Sequence, residues 1–445
     1  MECGAPSYES WAQYQTDIYA ALRPPEISTD SLKWEAEARD KLPLRYFNYI
    51  YGNAGQFRTY AANIRAFSRY RLVPRMLSGA SSRDLSVEIF GKKFPSPLIV
   101  APIGVQSIAH KEAECGSARA AARLNVPFVL STASSTNLET VAAAHDAASV
   151  NLTDDFAKPD RWYQLYWPTN DKITKSLLDR AANNGFSVLV VTLDTFSLGY
   201  RPSDLDQSYL PFIWGEGCAI GLNDPAFKEF YANLVASRPK LSLWQRIKML
   251  FSRSHRSFFL IIFLLWYQKS IFVALAWLSQ AFSGQHKSWE DLKFLRENWK
   301  GPIVLKGIQS VEDAQTAINY GIDGIIVSNH GGRQADGARA SLDALAEITA
   351  DPVVSSSDLT VLFDSGVRTG SDVIKALSLG AKAVLIGRPY IYGLAIAGTK
   401  GVEHVLRCLL AETDITMGNI GKKRISELSR DIMDVVDSEL PLVNK

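Results

Sequence analysis

The sequence predicts an α/β chain closed as a (β/α)8 TIM barrel, with an N-terminal helical extension and a long insertion after the fourth strand. Three observations predict it. Eight short apolar runs recur, at 97–101, 126–130, 161–166, 187–193, 302–306, 323–328, 360–364 and 382–386. All but one of the intervals between them suit a single helix, the texture of βα units around a parallel sheet. Polar residues and glycines gather directly after the later runs, at the end where a barrel carries its functional groups. An open doubly wound sheet is the alternative, and it places function at the same strand ends.

Ahead of the barrel, residues 1–90 read as a largely helical segment of the same domain. Ser31 to Ala38 opens one helix, and Leu42-Pro43 leads into a region rich in Tyr and Phe. Residues 91–430 make the barrel and 431–445 a tail. The interval from 194 to 302 is too long for an ordinary crossover, so an insertion or lid is expected at 205–300. Its composition is unusual. Apolar runs at 258–267 and 271–278 flank Gln268-Lys269-Ser270, and from Tyr231 to Trp289 there are eight Lys or Arg and no Asp or Glu. Basic residues beside an apolar run suit peripheral contact with anionic lipid, here through 240–280. A lid or oligomer contact and an aberrant insertion are the competing readings. A single membrane span is excluded, because it would bury Lys269 in the bilayer and split one barrel across it.

The rest of the composition is that of an ordinary globular protein, 47% hydrophobic and 21% charged, and the net charge of +2 makes no case for nucleic acid. Cys3, Cys115, Cys218 and Cys408 lie far apart, with neither metal nor disulfide spacing, which fits reducing surroundings. No basic stretch leads into an apolar run at the start, and the last residues carry no peroxisomal or lipidation signal. A cytoplasmic location is the default expectation.

The most informative segment is Ser328-Asn329-His330-Gly331-Gly332-Arg333-Gln334, directly after the sixth run. An imidazole there can take a proton from a hydroxyl, and Arg333 can grip a carboxylate through two hydrogen bonds. The bland reading is a capped turn with a surface ion pair. Asp194, ending the fourth run, can stabilise a protonated His330, although alone it could equally cap a helix. Asp364-Ser365-Gly366-Val367-Arg368 and Gly387-Arg388 follow the seventh and eighth runs, where backbone amides and guanidiniums suit a phosphate. Lys306 ends the fifth run as a cation beside the sheet end. No dinucleotide glycine fingerprint follows an early strand, and the histidines show no metal spacing.

These same residues resemble the FMN-dependent 2-hydroxy acid oxidase and dehydrogenase family, from about Ser31 to Arg424 with the middle of the insertion excluded. The resemblance implies FMN as cofactor and hydride transfer from Cα of a small L-2-hydroxy acid, with oxygen as acceptor. It implies His330 as the base, Asp194 as its partner, and Tyr49 as a catalytic tyrosine, with Tyr46 and Tyr51 close by. Arg333, Arg201 and Tyr166 match the substrate contacts. Flavin contacts carry over to Ala101, Pro102, Ile103, Gly104, Ser131, Gln164, Thr192, Lys306, Ser328, Asp364, Gly366, Arg368, Gly387 and Arg388. Ala101-Pro102-Ile103-Gly104, Asp364-Ser365-Gly366 and Leu409 to Asp414 look most like lactate 2-monooxygenase, with Gly104 expected to leave room beside the flavin. The resemblance further implies a homotetramer. A membrane-associated dehydrogenase with a quinone acceptor and an inactive scaffold are the alternatives.

Overall fold

A computed structural model describes residues 10–149, 153, 155–237 and 258–436. The insertion's residues 238–257 and the tail beyond 436 lie outside the described residues. Eight strands form a closed barrel: β1 (Leu98–Val100), β2 (Phe128–Ser131), β3 (Arg161–Leu165), β4 (Leu189–Thr192), β5 (Ile303–Ile308), β6 (Gly324–Val327), β7 (Thr360–Phe363) and β8 (Ala383–Ile386). Each pairs in parallel with its neighbour in sequence, and β8 closes onto β1. The barrel expectation is borne out and the open sheet is excluded.

The strands read as unbroken apolar runs because both of their faces are buried. Ile99, Val129, Trp162, Val190, Val304, Ile326, Leu362 and Leu385, one from each strand, fill the interior. Their neighbours in sequence, such as Leu98, Leu130, Tyr163, Val191 and Leu305, face outward into the layer under the helices. Burying each such side chain contributes roughly 1.5–3 kcal/mol. The helix after β3, Asp171–Asn183, starts where Asn170 accepts the N–H groups of Lys172 and Ile173. The helix after β7, Gly370–Ser378, starts with a Thr369–Asp372 capping box.

The N-terminal extension is helical only as far as Ala66, with helices Gln13–Ala20, Trp34–Lys41, Leu44–Tyr51 and Arg58–Ala66. Beyond them, Tyr70–Leu72 pairs antiparallel with Met433–Val435, and the hairpin Val87–Ile89/Lys92–Phe94 packs Val87, Ile89 and Phe94 onto the barrel interior. Asp414, buried on the long final helix Arg388–Asn419, accepts hydrogen bonds from Ser10 Oγ (2.7 Å) and the Ala12 N–H (2.8 Å) and pairs with Arg83.

Within the insertion, helix Phe258–Ala281 ends against the barrel. The Trp277 indole meets Phe227 edge-on at 5.3 Å and lies over Gly221, where any Cβ would collide with it. Gln280 Oε1 accepts from Thr169 Oγ1 at 2.9 Å. Among the described residues no helix is long and apolar enough to cross a membrane.

Candidate active site

After β6 the chain turns over the barrel mouth through Ser328 to Gly332. Asn329 anchors this turn from below: its side chain exchanges two hydrogen bonds with Asn63, at 2.7 and 2.8 Å, and accepts the Gly332 N–H at 3.1 Å. Gly332 has φ +84°, and a Cβ there would lie 2.7 Å from the Tyr60 nitrogen, so only glycine lets the two backbones approach this closely. Ser365 also sits in the left-handed region, at φ +88°. Its hydroxyl donates to Asp364 Oδ1 (2.7 Å) and accepts the Gly331 N–H (3.0 Å), tying the turn to the end of β7.

The anchored turn presents His330. Its Nδ1 lies 2.9 Å from Asp194 Oδ1, and the Thr195 hydroxyl donates to that same oxygen at 2.7 Å and stands 3.2 Å from Nδ1. With Nδ1 engaged, Nε2 is the ring nitrogen left for the cavity. Burial holds the imidazole below the ordinary histidine range, with Asp194 opposing the shift and Lys306 and Arg201 adding to it. Burial would raise the Asp194 carboxyl, but the His330 charge and hydrogen bond, with Lys306 and Thr195, outweigh it and hold the group at about 2. The pair at neutral pH is therefore a neutral base beside a carboxylate.

Two guanidiniums face the same cavity. Arg333 Nη1 donates to the Ile50 and Gly52 carbonyls at 3.2 and 2.5 Å, and its guanidinium lies 5.4 Å from the Tyr49 ring centroid. Arg201 donates to the Arg333 carbonyl (3.1 Å) and to Gln334 Oε1 (2.9 Å), while Gln334 Nε2 donates to the Asp194 and Ser197 carbonyls. Burial and the neighbouring Arg333 push Arg201 down to about 10. Tyr49 and Tyr166 are raised by burial and stay protonated hydrogen-bond donors.

A second pair of guanidiniums flanks Tyr60, Arg368 at 5.8 Å and Arg388 at 5.2 Å from its ring centroid. Burial pushes Arg388 down to about 10. Arg388 is held by the Gly331 carbonyl at 3.0 Å and Asn53 Oδ1 at 2.5 Å. Arg368 Nη2 is buried and finds no acceptor among the described residues. Gly387 opens onto the cavity, where a Cβ would meet nothing closer than Ile103 Cδ1 at 4.0 Å. Lys306 Nζ lies 2.9 Å from Ser328 Oγ and 3.1 Å from Asp364 Oδ2. Five cations and a single carboxylate, Asp364, thus line one cavity, which suits two separate anions.

The family pattern described as FMN-dependent dehydrogenase matches residues 38–435. The chain belongs to this family. It is 45% identical over 428 residues to an FMN-dependent alpha-hydroxy acid dehydrogenase of Penicillium citrinum, covering 95% of this chain and 96% of the relative. It is 37% identical to an L-lactate oxidase of Lysinibacillus sphaericus, covering 88% and 89%. A crystal structure of mandelate oxidase superposes with a TM-score of 0.70 at 31% identity, covering 92% of this chain and 98% of that one. The protein is therefore an FMN-dependent oxidoreductase of the hydroxy acid oxidase and dehydrogenase family. The cavity fits FMN: the open Gly387 cradle and the unsatisfied Arg368 Nη2 suit its phosphate, and Lys306 its ring.

Of the residues singled out in the sequence, Tyr49, Ala101 to Gly104, Tyr166, Arg201, Lys306, His330, Arg333, Asp364, Gly366, Arg368, Gly387 and Arg388 line this one cavity. Asp194, Ser131, Gln164, Thr192 and Ser328 stand behind its wall. Ser131 Oγ donates to Gln164 Oε1 and Gln164 Nε2 to Thr192 Oγ1, both at 2.9 Å. Tyr49 faces the cavity, and neither Tyr46 nor Tyr51 lines it.

The expectation for Gly104 needs correction. A Cβ at 104 would fall 2.5 Å from the Ala133 carbonyl oxygen and 2.6 Å from Ala133 Cβ, so the space a methyl would take is already filled by Ala133. Thr195, Ala133, Leu198, Phe212 and Phe282 also line the cavity, and the sequence reading missed them. Phe282, 4.9 Å from Tyr166 and 5.3 Å from Phe212, comes from the end of the insertion.

Proposed function

We propose that His330, Arg201 and Arg333 act together in the FMN-dependent oxidation of a small L-2-hydroxy acid, with oxygen as acceptor. The observation that carries this division of labour is the convergence of one neutral imidazole and two guanidiniums on a single cavity. Arg201 and Arg333 dock the substrate carboxylate, Tyr49 and Tyr166 hydrogen-bond the substrate and fix its pose, and His330 Nε2 takes the hydroxyl proton. Asp194 and Thr195 hold the imidazole and offset its positive charge as it forms. FMN, when bound, supplies the acceptor for the hydride leaving Cα.

The test is anaerobic addition of lactate, glycolate, mandelate and longer 2-hydroxy acids to the holoenzyme while flavin absorbance is followed. Bleaching by at least one of them is expected, and bound FMN that none bleaches would favour an inactive scaffold. The finer reading is a lactate 2-monooxygenase type, supported by Ala101 to Gly104, Asp364-Ser365-Gly366 and Leu409 to Asp414. Lactate turned over in oxygen then yields acetate, whereas pyruvate with hydrogen peroxide makes the protein an oxidase.

Three further proposals concern the protein's surroundings: a cytoplasmic location, a homotetramer, and peripheral membrane contact through 240–280, which would suit a quinone acceptor. The acid-free basic block supports the membrane contact. Full-length protein should sediment with anionic vesicles and not with neutral ones. Equal sedimentation with both removes the proposal.

A further inference from the structure

The cavity wall at the end of β1, Ala101 to Gly104, is held from behind by buried polar groups that the chemistry above does not use. The Tyr390 hydroxyl, on the final helix, donates to the Ala101 carbonyl at 2.9 Å. Gln106 Nε2 donates to the Ile103 carbonyl at 3.0 Å and to the Tyr390 oxygen at 3.2 Å, and Gln106 Oε1 accepts from Ser117 Oγ at 2.7 Å. Gln106, Ser117 and Tyr390 are all buried. The hydrogen bonds therefore run one way, from Ser117 through Gln106 and Tyr390 to the Ala101 carbonyl.

Glu114 fixes the same turn from another side. Its buried carboxyl accepts the Gln106 and Ser135 N–H groups at 3.1 and 2.8 Å and the Thr136 hydroxyl at 2.8 Å, joining the turn after β1 to the turn after β2. Val105, just before Gln106, sits in the left-handed region at φ +57°, which a β-branched residue keeps only where its surroundings impose it. With the Ala101 and Ile103 carbonyls engaged behind the wall, the Gly104 N–H has no acceptor among the described residues. A donor without a partner on a wall of the FMN cavity is satisfied when the ligand supplies the acceptor.

We propose that Gln106 and Tyr390 are positioning residues for the flavin: by drawing the Ala101 and Ile103 carbonyls back, they keep this wall a donor surface that favours reduced, more negatively charged flavin over the oxidised form. Burial pushes the Tyr390 hydroxyl well above the ordinary tyrosine range, so it remains a donor at neutral pH. Releasing either carbonyl loosens the Gly104 N–H and lets a carbonyl oxygen turn toward the cavity. Both changes penalise the reduced state. The proposal concerns the cofactor and stands whether or not His330 is the base.

The test is the two-electron midpoint potential of FMN bound to the holoenzyme, measured anaerobically against a reference dye. Tyr390→Phe removes one hydroxyl and keeps the ring. It should lower the potential by about 15 mV, a threefold loss of preference for reduced over oxidised flavin and the usual worth of one hydrogen bond. Gln106→Leu frees the Ile103 carbonyl and the Tyr390 hydroxyl together, and should lower the potential by about 30 mV, a tenfold loss. The double variant should fall short of the sum, because Gln106 acts partly through Tyr390. A role in packing alone would lower the melting temperature and leave the potential where it was. A potential unmoved or raised in Tyr390→Phe therefore overturns the proposal, and this variant decides alone if Gln106→Leu does not fold.

Discussion

Replacing His330 with Gln should slow flavin bleaching by the best 2-hydroxy acid about 10²- to 10⁴-fold, the usual worth of a positioned general base. FMN should remain bound, since the phosphate seat around Arg368 and Arg388 is separate from the imidazole. The pH dependence has a definite sign. Burial favours the neutral ring, so the base is competent at neutral pH, and kcat/KM should fall only as pH drops through a value below the ordinary 6.5. Asp194→Asn removes the carboxylate whose charge and hydrogen bond raise the group, so its acid limb should move lower still while the rate falls. Stopped-flow bleaching across pH 4 to 9 measures both, and a His330→Gln enzyme that reduces its flavin at the wild-type rate ends the assignment.

Arg333→Ala should lower kcat/KM by roughly 10- to 150-fold, equivalent to about 1.5–3 kcal/mol for hydrogen bonds to a charged group. Most of that loss should appear in KM, because docking a carboxylate is uniform binding. Arg333→Lys should recover little: an ammonium cannot grip two carboxylate oxygens in one plane while also holding the Ile50 and Gly52 carbonyls. Arg201→Ala should behave differently. Arg201 steadies Gln334, which in turn holds the Asp194 carbonyl at 2.7 Å, so its removal should lower kcat as well as raise KM. Steady-state kinetics on the three variants separates the roles, and an unchanged KM in both alanine variants removes the carboxylate clamp.

The barrel was legible because parallel strands buried on both faces are mostly unbroken apolar runs, with polar residues such as Ser131, Thr192 and Lys306 near their carboxyl ends. The His330 turn was legible because its glycines and guanidinium are adjacent in sequence. Residues that work only through the tertiary fold were not. Phe282 closes the cavity from just beyond the apolar runs that read as a lipid-facing element, and nothing local separates it from its neighbours. Thr195 stands next to Asp194 and could have been found by asking what else the carboxylate must satisfy. The hairpin before β1 did carry a strand signal, Val87-Glu88-Ile89 alternating ahead of a turn at Gly91, which the helical texture of the preceding segment masked. The packing of Gly104 against Ala133 depends on two loops meeting, and no pattern in either reveals it.

The bonds from Ser10 and Ala12 to Asp414 span 404 and 402 positions. On a ribosome adding about 5–20 residues per second, the amino-terminal end waits roughly 20 to 80 seconds for its partner to emerge. The closing seam between β8 and β1, where Val384 pairs with Leu98, waits roughly 14 to 57 seconds at the same pace. The nascent polypeptide must therefore travel most of its synthesis with an unsealed sheet edge and unshielded helices, so successful production depends on chaperone supply and translation pace as much as on the final fold's stability.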